Sequence, residues 1–258
     1  MKLLPALRWA AVALLAALPC FAAFAATDAP GEVRVAVAAN FAQPMKAIAD
    51  AFERQTGHKV LQSAGATGKL FAQINEGAPF DLFLSADAEA PQKLEQLGRI
   101  AAGSRFTYAV GTLVLWSAMP NMVFAGGEIL KSKDIEHVAI AAPKLAPYGA
   151  AAMETLRRLN LLAQVEPKLV QGESIGQAYG FIASGNAEVG FVALSQVWED
   201  GRIKRGSGWI VPSHLHEPIR QEAVLLARAR NNAAAIAFYD YLRSEPIRDM
   251  IRAFGYGN

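Results

Sequence analysis

Four short segments of the sequence share a chemical character: an apolar strand ends, a polar or glycine-containing turn follows, and an amphipathic helix begins. They are Ala39-Asn40, Gly65 to Gly68, Pro147 to Gly149 and Gly172 to Ile175. The first turn of a helix carries unpaired N–H groups and a partial positive charge, so several such turns meeting at one point could bind an anion without arginine or lysine. The four segments together predict an oxyanion site.

The polar side chains of these segments have a simpler explanation when each is taken alone. Asn40, Thr67 and Ser174 are residue types that cap helices, and any one of them could serve only that purpose. Their recurrence in four loops favours a binding role. Because donors dominate, such a cage would favour a fully deprotonated tetrahedral oxyanion over one that keeps a proton. Glu173 is the one nearby acceptor, and we expect it to face solvent in the first turn of its helix.

A different chemistry is indicated by the segment from Gly172 to Gly176, which matches G-x-S-x-G between a predicted strand and a predicted helix. In this alternative the protein is a secreted serine hydrolase with Ser174 as its nucleophile. Asp200 and either His214 or His216 would complete a Ser, acid, His order. The sequence lacks the histidine–glycine oxyanion segment that accompanies this motif in many esterases. The binding role is therefore preferred, and the hydrolase is kept as the alternative.

The elements around these loops alternate in the pattern of an α/β protein with largely parallel sheets. Strands are predicted for residues 33–38, 59–62, 81–84, 108–116, 137–141, 168–171, 189–192 and 223–227, and helices for residues 44–56, 67–76, 88–97, 149–159, 175–184, 233–243 and 246–254. Two lobes, with chain crossings near residue 110 and between residues 200 and 215, fit this order. Periodicity alone leaves open whether the tail returns to the first lobe.

The first 25 residues have the features of a secretory signal peptide. Lys2 and Arg8 precede an apolar run from Trp9 to Leu18, and Ala23-Phe24-Ala25 forms an A-x-A cleavage site. The chain of 258 residues has a formal net charge of +2, and cleavage after Ala25 would remove that excess together with the single cysteine. A neutral mature chain without cysteine excludes a disulfide framework and argues against a basic nucleic-acid-binding protein.

Four segments carry a family resemblance. They are Val33 to Phe41 (VRVAVAANF), Gly77 to Asp87 (GAPFDLFLSAD), Pro147-Tyr148-Gly149 and Ala237 to Leu242 (AFYDYL). In these segments the chain resembles the periplasmic molybdate-binding proteins of ABC transporters. The segment from Gly77 to Asp87 is the most specific of the four. The resemblance extends over essentially all of the chain that follows the signal peptide.

The resemblance implies an α/β, two-lobed class II periplasmic-binding-protein fold. Each lobe would be a mostly parallel sheet flanked by helices, with the ligand in the cleft between the lobes. In this fold residues 1–25 are the signal peptide, residues 26–111 the first part of lobe 1, residues 112–212 lobe 2, and residues 213–258 the return to lobe 1.

The resemblance also implies which residues contact the ligand, a dehydrated molybdate or tungstate dianion held by hydroxyls and backbone N–H groups. In the first lobe these are the backbone of Ala39, Asn40 and the hydroxyl of Thr67. Across the cleft they are Tyr148 and the backbone N–H of Ile175. All of these groups would contact the oxygens of molybdate and would not be direct ligands of the metal.

The chain departs from one common pattern of this family, which has serine in the first loop and a tyrosine late in the second lobe. Asn40 and Ala193 stand at those positions. The chain is similar instead to the subgroup with asparagine in the first loop and tyrosine at the Pro-Tyr-Gly turn, which implies that Tyr148 supplies the phenol from another direction. Thr67 replaces the more usual serine, which keeps the hydroxyl donor and adds a methyl group.

We therefore expect an exported, monomeric, non-catalytic receptor. It would close on molybdate or tungstate by hinge motion and deliver the ion to the membrane permease of an ABC transporter. No cofactor and no nucleic-acid partner is expected. A receptor for sulfate or another small oxyanion is the alternative within the same fold. Molybdate and tungstate have nearly the same size and charge, so the sequence does not separate them.

Overall fold

The computed structural model describes residues 30–257. The predicted signal peptide, residues 1–25, lies outside this range. Within residues 30–257 the chain forms two five-stranded sheets with helices packed against them. No helix in this range is both long enough and apolar enough to cross a membrane. The two-lobed α/β fold predicted from the sequence is confirmed.

Strands and helices alternate along the described chain, joined in places by short 3-10 turns. The first half contains β1 (Glu32–Ala38), α1 (Ala42–Thr56), β2 (Lys59–Gly65), α2 (Thr67–Asn75), β3 (Leu82–Leu84), α3 (Glu89–Gln96), β4 (Phe106–Gly111) and β5 (Leu113–Ser117). The second half contains β6 (Val138–Ala141), α4 (Pro147–Arg158), α5 (Leu162–Val165), β7 (Leu169–Gly172), α6 (Ile175–Ala183), β8 (Val189–Ala193), β9 (Trp198–Glu199), β10 (Arg202–Ile203), β11 (Ser207–Ile210), β12 (Ile219–Leu225), α7 (Ala233–Leu242) and α8 (Glu245–Ala253).

The first sheet has the strand order β2-β1-β3-β12-β4, and its central strands are buried on both faces. Successive side chains of β1 point to opposite faces. Val33, Val35 and Val37 pack with α1, α7 and α8, whereas Ala36 packs with α2 and α3 on the other face. A strand buried on both faces has apolar residues at consecutive positions, which is why β1 reads as a continuous apolar run in the sequence.

The second sheet has the strand order β11-β5-β8-β6-β7. Helices α4 and α6 supply Leu156, Ala178 and Ile182 to its core. The strands of this sheet all come from residues 113–210, whereas those of the first sheet come from residues 32–111 and 219–225. The C-terminal part of the chain therefore returns to the first sheet, a point that periodicity left open.

The stretch predicted as one strand, residues 108–116, is two strands in different sheets. β4 ends at Gly111 in the first sheet, and β5 begins at Leu113 in the second. Both strands are largely apolar, because β5 is buried throughout and β4 packs against the core of the first lobe. Hydrophobicity therefore gives no sign of the residue at which the chain leaves one core for the other.

The sheets are also less parallel than predicted. In each sheet two strand pairings are parallel and two are antiparallel. The antiparallel pairings belong to β12 and β5, the strands through which the chain enters each sheet from the other. A strand that arrives from the other lobe needs no crossover helix, so it is free to run in the opposite direction.

No strand is predicted for residues 198–210, yet β9, β10 and β11 lie there. β9 and β10 have two residues each and form an antiparallel pair. Two residues are too few to show an alternation of apolar and polar side chains, which explains why the sequence pattern missed them.

Candidate oxyanion-binding site

A small cavity lies where strands of both sheets end and the following helices begin. It contains about 190 Å³ of space, part of which is open to solvent. The five residues predicted to contact the ligand all line it: Ala39, Asn40, Thr67, Tyr148 and Ile175. The other lining residues are Ala38, Gly65, Ala66, Ala86, Ala146 and Pro147. Ligands of α/β folds bind at this place, outside the carboxyl ends of the parallel strands.

Three helices begin at the cavity: α2 at Thr67, α4 at Pro147 and α6 at Ile175. The N–H groups in the first turn of a helix have no acceptor within that helix. Within residues 30–257 the N–H groups of Thr67, Tyr148 and Ile175 donate to no other protein group. Three helix N-termini with free N–H groups give the cavity a positive potential without any ionised side chain.

The hydroxyl of Thr67 adds a donor to these backbone groups. Its Oγ1 accepts a hydrogen bond from the backbone N–H of Ala86 at 3.1 Å, and the side chain is buried. A hydroxyl that accepts from an N–H still has its own hydrogen to donate. The Ala86 contact thus orients Thr67 and leaves its hydrogen available to an anion in the cavity.

Asn40 is 2% exposed, and its side chain is engaged by the protein. Nδ2 donates to Oε1 of Gln221 at 2.8 Å and to the hydroxyl of Tyr256 at 3.0 Å. The backbone carbonyl of Asn40 accepts from Ser195 and from Tyr256, both at 2.9 Å. Both hydrogens of Nδ2 are used, so the side chain of Asn40 anchors the first loop, and the backbone N–H groups of that loop are the donors left for a ligand.

Tyr148 is also completely enclosed. Its hydroxyl oxygen accepts from Nε2 of Gln221 at 3.2 Å. A Cβ at Gly111 would lie 2.2 Å from that oxygen, so the phenol reaches its position only because residue 111 is glycine. Burial raises the pKa of the Tyr148 hydroxyl well above its ordinary value, which keeps it protonated and able to donate.

No lysine, arginine, aspartate or glutamate in residues 30–257 lines the cavity. Charges instead pair just outside it, where Lys69 Nζ on α2 contacts Oε1 of Glu173 in the second lobe at 3.0 Å. Glu173 is exposed to solvent, as expected, but it lies just before the N-cap of α6 and also joins the two lobes. The N–H of Gly68 makes a second contact across the cleft, to the carbonyl of Leu145 at 2.9 Å.

The sequence reasoning missed the polar residues behind the cavity. Gln221, Tyr256 and Ser195 bond to Asn40 directly, and Tyr108 donates to Oε1 of Gln221 at 2.9 Å. Gln221 and Tyr256 are 181 and 216 residues from Asn40 in the sequence. No local motif links positions so far apart. The one available signal is a glutamine among the apolar residues of a strand that is buried on both faces.

The hydrolase alternative has no geometric support. Ser174 is the N-cap of α6, and its Oγ accepts from the N–H of Gln177 at 3.4 Å. Nδ1 of His216 contacts the carbonyl of Glu217 at 2.7 Å. Among the described residues, no hydrogen bond joins Ser174 to either histidine of the predicted triad. Asp200 lies in the turn between β9 and β10.

Two lobes that meet over a small, uncharged cavity of hydrogen-bond donors define a protein that binds a solute. The family model described as bacterial extracellular solute-binding protein matches residues 33–257, and this chain belongs to that family. A solute-binding protein is not an enzyme, so membership of this family sets the hydrolase alternative aside.

Relatives within this family are similar to the chain over nearly its whole length. The molybdate-binding protein ModA of Azotobacter vinelandii is 55% identical over 95% of this chain and 96% of the relative. The protein of the same name from Rhodobacter capsulatus is 52% identical over 88% of this chain and 89% of the relative. Among solved structures, the periplasmic molybdate-binding protein of Azotobacter vinelandii matches with a TM-score of 0.84 and 40% identity, covering 88% of this chain and 99% of that one.

Proposed function

We propose that this protein captures molybdate outside the cytoplasm and delivers it to the membrane permease of an ABC transporter. The observation that carries the proposal is the convergence of donors from both lobes on one cavity that contains no ionised group. Donors held in place by the fold need no reorganisation when the anion arrives. The names of the relatives at 55% and 52% identity support molybdate as the ion.

In this proposal the contacts come from Ala39, Asn40, Thr67, Tyr148 and Ile175. The backbone N–H groups of the first loop, of Tyr148 and of Ile175 donate to molybdate oxygens. The hydroxyls of Thr67 and Tyr148 complete the set. All of these contacts are to oxygen and none is to the metal.

Selectivity follows from the same arrangement. No carboxylate of residues 30–257 lines the cavity. A cage dominated by donors disfavours an oxyanion that keeps a proton, because the O–H has no carboxylate to accept it. Phosphate, which is partly protonated near neutral pH, is therefore excluded by its hydrogen. Sulfate carries the same charge as molybdate but is smaller, so its oxygens reach fewer of the donors at once. Tungstate matches molybdate in size and charge, and we propose that it binds equally well.

The remaining features of the proposal concern export and movement. The signal peptide is cleaved near Ala25, and the mature protein works in the periplasm as a monomer. Residues 26–111 and 213–258 form lobe 1, and residues 112–212 form lobe 2. The lobes open and close by rotation at the two crossings of the chain between them, near residue 112 and between residues 212 and 219.

Isothermal titration calorimetry of the chain without residues 1–25 tests the proposal, with molybdate, tungstate, sulfate and phosphate as separate titrants. We expect strong binding of molybdate and tungstate, much weaker binding of sulfate, and no heat with phosphate. Binding of sulfate in preference to molybdate would assign the protein to the other oxyanion. No heat with any of the four ions would refute an oxyanion receptor.

A further inference from the structure

Gln221 is the centre of a buried hydrogen-bond network that joins the two lobes behind the cavity. It lies on β12 in the first sheet and is 0% exposed. Its Oε1 accepts from Asn40 Nδ2 and from the hydroxyl of Tyr108, and its Nε2 donates to the hydroxyl oxygen of Tyr148 on α4 in the second lobe. Gln221 itself does not line the cavity.

A β-bulge lies beside Gln221. Gln221 pairs with Ala109 of β4 and Glu222 pairs with Thr107, so the extra residue of the bulge is Tyr108 on β4. The hydroxyl of Tyr108 donates to Oε1 of Gln221 at 2.9 Å. Bulges are common next to functional sites, where they redirect a side chain.

The direction of the hydrogen bond between Gln221 and Tyr148 has a consequence for the ligand. A phenol has one hydrogen to donate and can also accept. Because Gln221 Nε2 donates to the Tyr148 oxygen, the phenolic hydrogen is not used in this bond, and within residues 30–257 it has no acceptor. It is therefore available to an anion in the cavity that Tyr148 lines.

We propose that Gln221 is a positioning residue that makes Tyr148 a hydrogen-bond donor to the bound oxyanion. It does so by occupying the acceptor side of the phenol, so that the hydrogen points toward the ligand. An acceptor in place of Nε2 would take that hydrogen for itself. This inference rests on the proposed function, since it assigns a role within the same oxyanion site.

The substitution Gln221→Glu tests this role through its dependence on pH. A carboxyl keeps the oxygen that accepts from Asn40 and Tyr108. When protonated, it also donates to Tyr148 as the amide does. When ionised, it can only accept, so Tyr148 turns its hydrogen away from the anion. Buried carboxyls titrate as high as about pH 8–9, and we would measure molybdate affinity by calorimetry from about pH 6 to about pH 9.

The titratable groups that surround residue 221 do not interfere with this measurement. They are Tyr108 and Tyr148 in direct contact and Tyr256 beyond Asn40. Burial raises the pKa of all three hydroxyls, so they stay protonated across the range. The neighbouring carboxylate, Glu222, is already paired with Arg105.

We expect the affinity of the Gln221→Glu variant to approach that of the wild type at the acid end and to fall by about 10- to 150-fold as the new carboxyl ionises, the value of one hydrogen bond to a charged group. The wild type should show no change over this range. The new negative charge also repels the anion, so the same titration is made with Tyr148→Phe and with Gln221→Glu combined with Tyr148→Phe. Without the phenol, only the repulsion remains, and the fall with pH should be clearly smaller.

Three results would overturn the inference. An equal fall with pH in the presence and absence of the phenol would mean that the carboxyl acts by its charge alone. A Tyr148→Phe variant that binds molybdate like the wild type would mean that the phenol does not contact the anion. Gln221→Met is neutral and has no N–H to donate to Tyr148. If this variant binds molybdate like the wild type at every pH, the hydrogen bond from Gln221 to Tyr148 is not needed. In all three cases the wild type still binds molybdate, so the proposed function stands; a wild type that fails to bind refutes the function itself.

Thermal unfolding of each variant without ligand separates a folding defect from a binding defect. If Gln221→Glu does not fold at high pH, the inference is decided by Gln221→Met and Tyr148→Phe at neutral pH. The loss in affinity from Gln221→Met should then disappear in the Tyr148→Phe background. If Gln221→Met weakens molybdate binding equally in the Tyr148→Phe background, Gln221 acts through Asn40 and not through Tyr148.

Discussion

Replacing Thr67 by valine removes one donor from the cavity while keeping the shape of the side chain. The hydroxyl makes two contacts in the proposed complex: it accepts from the N–H of Ala86, and it donates to the anion. Only the second contact changes between the free and the bound protein. We therefore expect the contact with the anion to determine the loss of affinity, and the contact with the Ala86 N–H to determine the loss of stability.

The loss of affinity equals one hydrogen bond to a charged group, about 1.5–3 kcal/mol, which raises the dissociation constant about 10- to 150-fold. The loss of stability comes from the Ala86 N–H, which stays buried without an acceptor at a cost of about 1–3 kcal/mol. For a chain of this size each kcal/mol lowers Tm by about 2–4 °C. Titration calorimetry and thermal unfolding without ligand measure the two quantities.

Two control variants make the test specific. Thr67→Ser keeps the hydroxyl and should bind within a few-fold of the wild type. Thr155→Val removes a hydroxyl that is equally buried but donates to the carbonyl of Ala151 within α4 at 2.8 Å. It should lower Tm without changing affinity. The reasoning is refuted if Thr67→Val binds molybdate as tightly as the wild type, or if Thr67→Ser is as weak as Thr67→Val.

Three further predictions concern the surroundings of the site. Gly111→Ala places a Cβ 2.2 Å from the hydroxyl of Tyr148, so it should cost about 1–3 kcal/mol in stability and weaken molybdate binding. The control Gly180→Ala places a Cβ where nothing lies within 4 Å and should have neither effect. Ser174→Ala removes the cap of α6 and should lower stability by about 1 kcal/mol. Calorimetry should still detect oxyanion binding, and both the variant and the wild type should be inert to activated esters, so ester hydrolysis that depends on Ser174 would contradict this prediction. Folding raises the pKa of Tyr148, so the stability that its protonated form contributes is complete below the unfolded tyrosine pKa of about 10 and is lost as the pH rises above it. Unfolding by denaturant should therefore show a constant contribution from this group up to about pH 10 and a decline beyond. A decline that begins near neutral pH would speak against a buried, protonated phenol.

The neutral cavity explains how a chain with balanced charges could hold a dianion. An ionised lysine or arginine buried beside the ligand would first have to lose its own hydration. Helix N-termini avoid that cost because their N–H groups are already positioned and partly positive. The ion pair of Lys69 and Glu173 lies outside, with side chains 52% and 43% exposed, where it contributes about 0–1 kcal/mol to the contact between the lobes.

Local sequence determined the elements that build the site. A few neighbouring residues are enough to determine where a strand ends, where a turn of small or polar residues follows, and where a helix begins. The starts of α2 at Thr67 and of α6 at Ile175 were therefore predicted at the residues where they occur. The α/β class followed from the same alternation, since burial on both faces makes strands apolar whatever lies beside them.

Tertiary structure decided what those elements meet. The break between β4 and β5 at residue 112 is invisible in an apolar run that is buried on both sides of it. The pairing of Lys69 with Glu173 joins residues 104 positions apart, and the contact of Gln221 with Tyr148 joins residues 73 apart. A hydrogen bond between distant residues depends on how two lobes pack, and packing is a property of the whole chain. The sequence by itself therefore determined that donors would gather at one place, and only the folded molecule decided which side chains stand behind them and in which direction each hydrogen points.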